Sequence, residues 1–526
     1  MILSPADVGS ELTVPQSESC KIIITPLPAA QKHGMAWWHA VARLLLLTLV
    51  VVGIHGYHPD AEDGGVYLAA IEHRLNPRLF PADADFFALK LQATVYDRMI
   101  AGLVRGTHVP PGTMLFLLHL LTVFGFLAAC YRIASRCFEH EHVRWCGVML
   151  VGVFLTLPVA GTGLYIMDQY LVPRAISATL ALFAIDYVLR KRYAKACATM
   201  AAALLLHPVI GAFGLSFCFF LWAWTSMRAL RIPATFSFVI PFATLFHPNS
   251  ALTPALRRAI NMHHYCDLAH WTWYEWLGVI GPILILFGFA VLAKRRTGRA
   301  ELRRVAMCAV FYGTFQTLVA MLFMLPATLE GLRPLEPMRY LHLLYVLMIL
   351  LGGCLMGEYL LKNHMWRWAV FFIPAALGMF LAQRALFPAT PHLELPGTQV
   401  SNQWMESFEW IRDNTPENAY FVLGPSYLHR PGEDSQIFRG LAQRSVLADT
   451  FKDSGMVLTS APLANRWQRE VDAQQSSAND WQHISSDDLH RLKAEFGVNW
   501  AVLERPSGDG FDCPYQNDRV AVCRIN

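Results

Sequence analysis

The stretch "ARLLLLTLVVVGIHGYHPDAEDGGVYLAAIEHRLNPRLFPADADFF", residues 42–87, joins an apolar run directly to an acidic segment. The run that ends at Tyr57 has the composition of a membrane-spanning helix. Carboxylates are frequent in the segment that follows it: Asp60, Glu62, Asp63, Glu72, Asp83 and Asp85. Because a carboxylate at the lipid boundary is costly unless it is solvated, paired or functional, the stretch predicts a helix that opens into a water-filled external cavity.

The composition of the whole chain indicates a polytopic membrane protein. Its residues are 54% hydrophobic and only 16% charged, against roughly 25% charged in ordinary soluble proteins. The mean hydropathy is +0.34. Apolar segments near membrane-spanning length recur through the first three quarters of the chain, and we predict about eleven of them. They are 38–57, 112–131, 145–161, 172–189, 195–210, 212–227, 232–247, 276–293, 305–326, 340–361 and 366–386.

The basic residues predict how these segments are oriented. Lys and Arg are concentrated in every second connecting loop, within 132–144, 190–195, 228–231, 294–304 and 362–367. Since such residues stay on the cytoplasmic side, we predict a cytoplasmic N-terminus and an extracytoplasmic C-terminal region in a bacterial inner membrane. The formal charge of +4 mostly reflects these loops and gives no reason to expect a nucleic-acid partner.

Three regions follow from this pattern. Residues 1–35 are polar, lack an early apolar signal region and are expected to form a cytoplasmic N-terminal segment. Residues 36–387 form the predicted transmembrane domain, an all-α bundle that includes an acidic first external loop at 58–111. Residues 388–526 change in character and contain no apolar run of membrane length. We predict that they form a small extracytoplasmic α/β domain.

Local patterns in the tail support an α/β domain. "NQWMESFEWIRDN" carries apolar residues at helical spacing and precedes the strand-like "YFVLG". "SSDDLHRLKAEFG" predicts a second helix that is capped near Ser485 and stopped at Gly497. "VNWAVLE" and "RVAVCRI" are typical of strands. Cys513 and Cys523 lie in this region. The sequence is compatible with a disulfide between them and with two free thiols.

The cluster Asp60, Glu62 and Asp63 is the first candidate site. These carboxylates suit a general base or the oxygen ligands of a divalent cation, and the two glycines that follow them suit a tight turn. A solvated loop whose acids cap a helix is the other interpretation.

Two more external loops carry arginines against the positive-inside preference. "GTGLYIMDQYLVPRAIS" pairs Asp168 with Arg174, and "ATLEGLRPLEPMRYLHL" carries Arg333 and Arg339. Bidentate contact with a lipid phosphate is one explanation for these arginines, and ion pairing with the acidic segment is the other.

Taken together, the chain resembles the GT-C superfamily of membrane glycosyltransferases. The resemblance is carried by "HPDAEDGGVY", "MDQYLVPRA", "LLLHPVIG", "LEPMRYLHL" and "FEWIRDNTPENAYFVLGP", and by the order of the spans and the external tail. It implies a sugar donor on a polyprenyl phosphate in the membrane and an inverting transfer to an acceptor that the sequence does not name.

The resemblance also implies roles for individual residues. A carboxylate of the first external loop would deprotonate the acceptor; Asp60 is the closest match by position, Asp63 is the alternative and Glu62 is the weaker candidate. Arginine would stabilise the leaving phosphate. Arg339 and Arg174 are the candidates, with Arg333 behind them.

Several residues remain open to two interpretations. His207, before Pro208, marks a helix break and is a candidate substrate contact. His58, His263 and His264 are candidates for a metal or phosphate, or for simple interface contacts. A divalent cation is a possible cofactor, since the family includes metal-dependent and metal-independent members. The aromatic residues around Trp273 suggest an interfacial belt, or a platform for sugar stacking.

Two rival functions are a transporter or flippase of lipid-linked envelope precursors and a non-catalytic membrane scaffold. Transporters often show internal repeats and charges near the bilayer centre. The charged candidates here cluster instead at one external face, which favours chemistry at a surface.

Overall fold

A computed structural model describes residues 33–226, 252–295, 299–398, 402–430, 432–477, 481, 484–505 and 511–526. Residues from Leu44 to Asn526 form one compact unit, and the residues up to Arg43 form a separate one. The predicted span at 232–247 lies outside the described residues.

Helices dominate the first part of the chain. They are α1 (His33–His55), α2 (Glu62–Leu75), α3 (Asp85–Leu91), α4 (Tyr96–Thr107), α5 (Pro111–Cys137), α6 (Glu141–Val153), α7 (Pro173–Leu189), α8 (Tyr193–Leu206), α9 (Pro208–Ser226), α10 (Pro254–Asn261), α11 (Trp273–Lys294), α12 (Ala300–Met324), α13 (Leu341–Met356) and α14 (Met365–Leu386). A short hairpin, β1 (Pro158–Val159) and β2 (Leu164–Tyr165), lies between α6 and α7. Short 3₁₀ turns precede α11 and α13.

Six helical segments in the described part of the chain are long and apolar enough to cross a membrane. They are Trp38–His55, Pro111–Cys137, Trp273–Lys294, Ala300–Met324, Thr328–Leu361 and Met365–Leu386. Each coincides with a span predicted from the sequence. The predicted spans between 145 and 227 fall on α6 to α9, which do not meet that criterion. An integral membrane protein is therefore supported, whereas the count of eleven spans is not confirmed.

The segment 58–111, predicted as the acidic first external loop, is largely helical. It contains α2, α3 and α4. The tight-turn interpretation of the glycines is wrong, because Gly64 and Gly65 lie inside α2. Their small size matters instead, since a Cβ on Gly65 would lie 2.5 Å from the Cβ of Ile437.

We expect Gly65→Ala to lower the free energy of unfolding by about 1–3 kcal/mol, because the added methyl group overpacks the contact with Ile437. Thermal unfolding in nanodiscs measures the change. Gly102→Ala is the matched control, since Gly102 is exposed in α4 with nothing near its missing Cβ, and alanine there should stabilise slightly. Equal effects of the two variants would contradict the packing role of Gly65.

The tail forms the α/β architecture that the sequence predicts. Its helices are α15 (Gln403–Asn414), α16 (Phe438–Ala442), α17 (Lys452–Met456), α18 (Ala461–Ser477) and α19 (Ser486–Phe496), and its strands are β3 (Tyr420–Val422), β4 (Ser445–Val446), β5 (Trp500–Glu504), β6 (Asp512–Gln516) and β7 (Val520–Arg524). The sheet order is β4-β3-β5-β7-β6. Strand β3 pairs in parallel with β4 and β5, and β7 is antiparallel to β5 and β6.

The helix signals of the tail are confirmed in detail. Asn402 caps α15 through its side chain, Ser485 forms a capping box with Asp488 at α19, and Gly497 ends α19 at a φ of +80°. Strands β4 and β6 lack a clear sequence signal. Cys513 and Cys523 form a disulfide between β6 and β7.

The tail shares a core with segments from the first part of the chain. Phe86 of α3 and Ile260 of α10 pack with Val457 and Trp467 in one buried cluster. The tail is therefore held against α3 and α10, close to the acidic residues that begin α2.

Candidate active site

The backbone on both sides of Asp60 is bonded to the tail. Tyr57 donates its N–H to His392 O at 3.0 Å, and its own carbonyl accepts from Glu394 N at 3.0 Å. Further along, Ile437 N donates to Asp60 O at 3.0 Å, and Glu62 N donates to a tail carbonyl at 2.9 Å. These backbone bonds hold residues 57–62, which turn at Pro59 and Asp60, against the tail between the membrane helix and α2.

Glu62 has a φ of +53°, in the left-handed region that a non-glycine residue seldom adopts. This conformation occurs at the first residue of α2, just after the turn at Pro59 and Asp60. It turns Glu62 and Asp63 to a shared lysine, Lys452, with which both form ion pairs. Backbone strain of this kind costs on the order of 1 kcal/mol and is concentrated at functional sites.

Arg174 lies between two carboxylates. Its Nε and one terminal nitrogen donate to the two oxygens of Asp168, each at 2.8 Å. Its other terminal nitrogen donates to Asp63 Oδ2 at 2.5 Å. The bidentate contact with Asp168 fixes the plane of the guanidinium group, as the sequence pairing of these two residues predicts.

Lys452 completes this arrangement from the tail, and sequence analysis missed it. Its Nζ lies 3.3 Å from Asp63 Oδ1. Burial by itself lowers the pKa of Lys452, but Asp63 and Glu62 together raise it above its usual value, so the side chain stays charged. The residues Glu62, Asp63, Asp168, Arg174 and Lys452 are called the charge cluster.

Arg339 approaches the charge cluster from the turn before α13. The pKa of the Tyr67 hydroxyl lies above its usual value, mainly because Tyr67 is buried. Four charged groups also act on that hydroxyl: Asp63, Arg174, Arg339 and Asp168. Arg339 pairs with Glu336 at 2.6 Å, and its Nε is buried without a hydrogen-bond partner among the described residues. It therefore retains an unused donor near the charge cluster.

A narrow apolar slot with a volume of about 20 Å³ adjoins Arg339. It lies between α7, α9 and α13, and its walls are mainly small and aliphatic side chains such as Ala178 and Ile210. Arg339 and His342 are its polar residues. His342 Nε2 lies 2.8 Å from Ile166 O, two residues before Asp168, so this end of the slot lies near the charge cluster.

Asp60 belongs to a different environment. Its carboxylate makes no hydrogen bond or ion pair with any described residue. Burial raises its pKa to about 7, and the negative charges of Glu394 and Glu409 add to the rise. Nearby, His58 Nδ1 lies 2.5 Å from Glu394 Oε1; burial lowers the pKa of His58 to about 4 and raises that of Glu394 to about 8.

We expect Asp60→Asn to stabilise the protein increasingly as the pH rises. The pKa of Asp60 is about 7 in the folded chain against an ordinary 3.8, so folded wild type loses stability as the pH rises between these values. Asparagine does not titrate. The free energy of unfolding of Asp60→Asn should equal that of wild type near pH 4. Near pH 8 it should exceed that of wild type by on the order of 2 kcal/mol, after allowance for the partial exposure of Asp60.

Thermal unfolding across this pH range measures the gain. Asp85→Asn is the control, because the Asp85 side chain is 82% exposed in the same segment. A difference between wild type and Asp60→Asn that does not vary with pH would contradict a raised pKa.

The other predicted residues lie apart from the charge cluster or at its edge. Arg333 pairs with Asp267 at 3.5 Å. His207 lies at the break between α8 and α9, as predicted, and its Nδ1 accepts from Ile210 N. His263 contacts Ser454, and His264 contacts Glu275, so the two adjacent histidines turn to different partners.

The described residues include no group of three or more His, Cys, Asp or Glu side chains arranged to hold a metal ion. Within the charge cluster, Arg174 occupies the space between Asp63 and Asp168. The two carboxylates that suit a cation by type are therefore already bridged by a guanidinium group.

No protein-family model and no curated protein matches this chain. Among solved structures, the chain is similar to the oligosaccharyltransferase AglB from Archaeoglobus fulgidus in complex with an inhibitory peptide and a dolichol-phosphate. The identity is 11%, the match covers 90% of this chain and 70% of AglB, and the TM-score is 0.45. It is also similar to the mycobacterial arabinofuranosyltransferase AftD, at 15% identity over 93% of this chain and 41% of AftD, with a TM-score of 0.46.

AglB and AftD are membrane glycosyltransferases of the GT-C superfamily. Since the identities and TM-scores are low, the case for a function rests on the geometry of this chain's own residues.

Proposed function

We propose that this protein is a membrane glycosyltransferase that transfers a sugar from a polyprenyl-phosphate donor to an acceptor at the outer face of the membrane. One observation carries the proposal: Arg339, whose Nε has no hydrogen-bond partner among the described residues, lies beside a charge cluster that contains a fixed arginine and a carboxylate. A phosphate suits the arginines and an acceptor hydroxyl suits the carboxylate.

The proposed reaction needs one base and one anion-stabilising group. The acceptor oxygen attacks the anomeric carbon while Asp63 takes the hydroxyl proton. The bond from that carbon to the phosphate oxygen breaks, and its electron pair stays on the polyprenyl phosphate. Attack opposite the leaving group inverts the anomeric configuration. Arg339 stabilises the negative charge that develops on the phosphate.

Asp63 is assigned as the base because of its position beside Arg174 and Lys452, whose charges keep the carboxylate ionised and therefore able to accept a proton. Asp168 acts as a positioning residue, since its bidentate contact holds Arg174 beside Asp63. Lys452 limits the accumulated negative charge of Glu62 and Asp63, and it links the site to the tail. A divalent cation held by the donor phosphate is compatible with this proposal.

The test is donor consumption by the purified full chain in lipid nanodiscs. A panel of polyprenyl-phosphate sugars is offered with acceptor extracts, with and without a divalent cation or a chelator. Turnover by wild type supports a glycosyltransferase, and the chelator arm decides whether a metal takes part. Absence of turnover with every donor and extract would favour a lipid transporter or a scaffold.

Arg339→Gln should lower kcat/KM for the donor by about 100-fold, because the leaving phosphate loses its charged partner. Donor titration in the same assay measures the loss. Arg333→Gln is the matched control, since Arg333 lies in the same loop and pairs with Asp267 outside the charge cluster. Equal losses in both variants would contradict a specific phosphate contact at Arg339.

A further inference from the structure

A second cavity lies at the far end of α7. It has a volume of about 520 Å³ and is lined by the ends of α5 and α7, the start of α12 and one residue of α9. Arg174 lies at the first turn of α7, whereas the cavity adjoins its last residues, so a helix of 17 residues separates the two sites by about 25 Å. The cavity is therefore independent of the charge cluster, and it lies on the face predicted to be cytoplasmic.

The lining of this cavity is strongly cationic. Its charged residues are Arg136, Arg190, Lys191, Arg192, Arg304 and Glu301. These five cations and one carboxylate define the basic cavity. Its volume is within the range of pockets that hold small ligands.

Two of the cations are already neutralised. Arg190 Nε lies 2.7 Å from Asp186 Oδ1, and one terminal nitrogen of Arg304 lies 2.7 Å from Glu301 Oε1. The side chains of Arg136, Lys191 and Arg192 form no hydrogen bond or ion pair with any described residue. The surplus of positive charge around the basic cavity is therefore carried by three side chains with free donors.

Lys191 supplies an independent observation. It lies two residues after Leu189, the last residue of α7, with a φ of +57°, and its N–H donates to Val188 O at 2.9 Å. Glycine is the usual residue at this position after a helix, and a side chain there costs about 1 kcal/mol. The positive-inside preference and the helix dipole explain basic residues near this end of the bundle. They do not explain why a lysine, and not a glycine, occupies this left-handed position at the rim of a cavity.

Buried apolar side chains of Val188, Leu189 and Leu221 complete the lining. A ligand that combines an anionic group with an apolar portion fits this surface. Arginine and lysine at the membrane boundary recognise phosphate, whether the phosphate belongs to a lipid headgroup or to a small soluble compound.

We propose that the basic cavity binds a phosphate group of an anionic ligand at the face of the membrane opposite the charge cluster. The proposal goes beyond glycosyl transfer and does not depend on it. Arg136, Lys191 and Arg192 bind the phosphate oxygens, and the apolar lining contacts the portion of the ligand next to the phosphate.

The experiment uses the full chain and two phosphate sources. In one arm, the protein is taken from phosphatidylcholine nanodiscs doped with phosphatidylglycerol, and native mass spectrometry counts the retained phosphatidylglycerol. In the other arm, calorimetry titrates inorganic phosphate and pyrophosphate into the protein in pure phosphatidylcholine nanodiscs. The variant is Arg136→Gln/Lys191→Gln/Arg192→Gln. The matched control is Lys195→Gln/Lys294→Gln/Arg303→Gln, which removes three exposed cations that do not line the cavity.

The cavity variant is expected to bind at least 10-fold more weakly than wild type, and the control variant is expected to bind like wild type. A specific loss in the first arm identifies a lipid headgroup, and a specific loss in the second identifies a soluble phosphate compound. Absence of binding by wild type in both arms, or equal losses in both variants, would overturn the proposal.

Lys191→Gly separates binding from folding. Glycine accepts the left-handed conformation without a side-chain penalty, so this variant should unfold at the same temperature as wild type or a higher one. It should still bind several-fold more weakly, because it lacks one of the three free cations. Retention of full affinity by Lys191→Gly would count against a phosphate contact at that residue.

Discussion

Asp63→Asn is expected to lose at least 100-fold in turnover with little loss of folding. General-base catalysis contributes about 10²- to 10⁴-fold, and asparagine has no carboxylate to accept the proton. The amide oxygen can still accept from Arg174, whose bidentate contact with Asp168 is unchanged. The measurement is the initial rate of donor consumption at saturating donor, alongside thermal unfolding of the same sample.

Two further variants serve as comparisons for Asp63→Asn. Asp85→Asn removes an exposed carboxylate of the same segment and should keep wild-type turnover. Asp60→Asn should also retain most of its turnover, since Asp60 makes no contact with the charge cluster in the described structure. An inactive Asp60→Asn together with an active Asp63→Asn would reverse the assignment and make Asp60 the base, as its sequence position suggests.

Arg439→Met is expected to destabilise the protein by about 3–5 kcal/mol. Arg439 is 6% exposed and contacts two buried carboxylates: Asp83 at 2.5 Å, and Asp453 bidentately at 2.8 and 2.9 Å. Methionine fills much of the same volume but leaves both negative charges buried without a partner, which is the costly way to break a buried ion pair. Thermal unfolding followed by tryptophan fluorescence measures the loss, because Trp467 is buried in the adjoining core.

The triple variant Arg439→Met/Asp83→Asn/Asp453→Asn should recover most of this stability, since it removes the buried charges together. Arg469→Met is the control, because Arg469 is exposed and its substitution should change stability by less than about 0.5 kcal/mol. A loss below about 1 kcal/mol for Arg439→Met would contradict a buried ion-pair network. Asp453 follows Lys452 in α17, so the single variant should also reduce turnover by displacing Lys452 from Asp63.

Local sequence patterns were sufficient to predict some helices and strands of this protein and insufficient for others. The run before Tyr57 and the capping signals at Ser485 and Gly497 each depend on near neighbours in the chain, and each appears as predicted. Strands β4 and β6 are short or irregular and exist through pairing with distant strands. For that reason their own residues carried too little signal to predict them.

Some contacts of the candidate site were also predictable from the sequence, and others were not. Asp168 and Arg174 are six positions apart on either side of a helix start, and their pairing was visible in the sequence. Lys452 lies 389 positions from Asp63, in a segment that carries no motif, so only the docking of the tail brings it to the site. The unusual φ of Glu62 likewise depends on backbone bonds to the tail.

The sequence by itself determined that this chain enters a membrane, that an acidic segment follows the first apolar run, and that a small α/β domain ends it. Hydrophobicity, helical periodicity and caps are local properties, so they can be read along the chain. Tertiary structure alone decided that Asp63 lies in the charge cluster while Asp60 turns away from it. That choice depends on the burial and ion pairing of groups hundreds of positions apart, whose energies exist only once the helices and the tail have packed together.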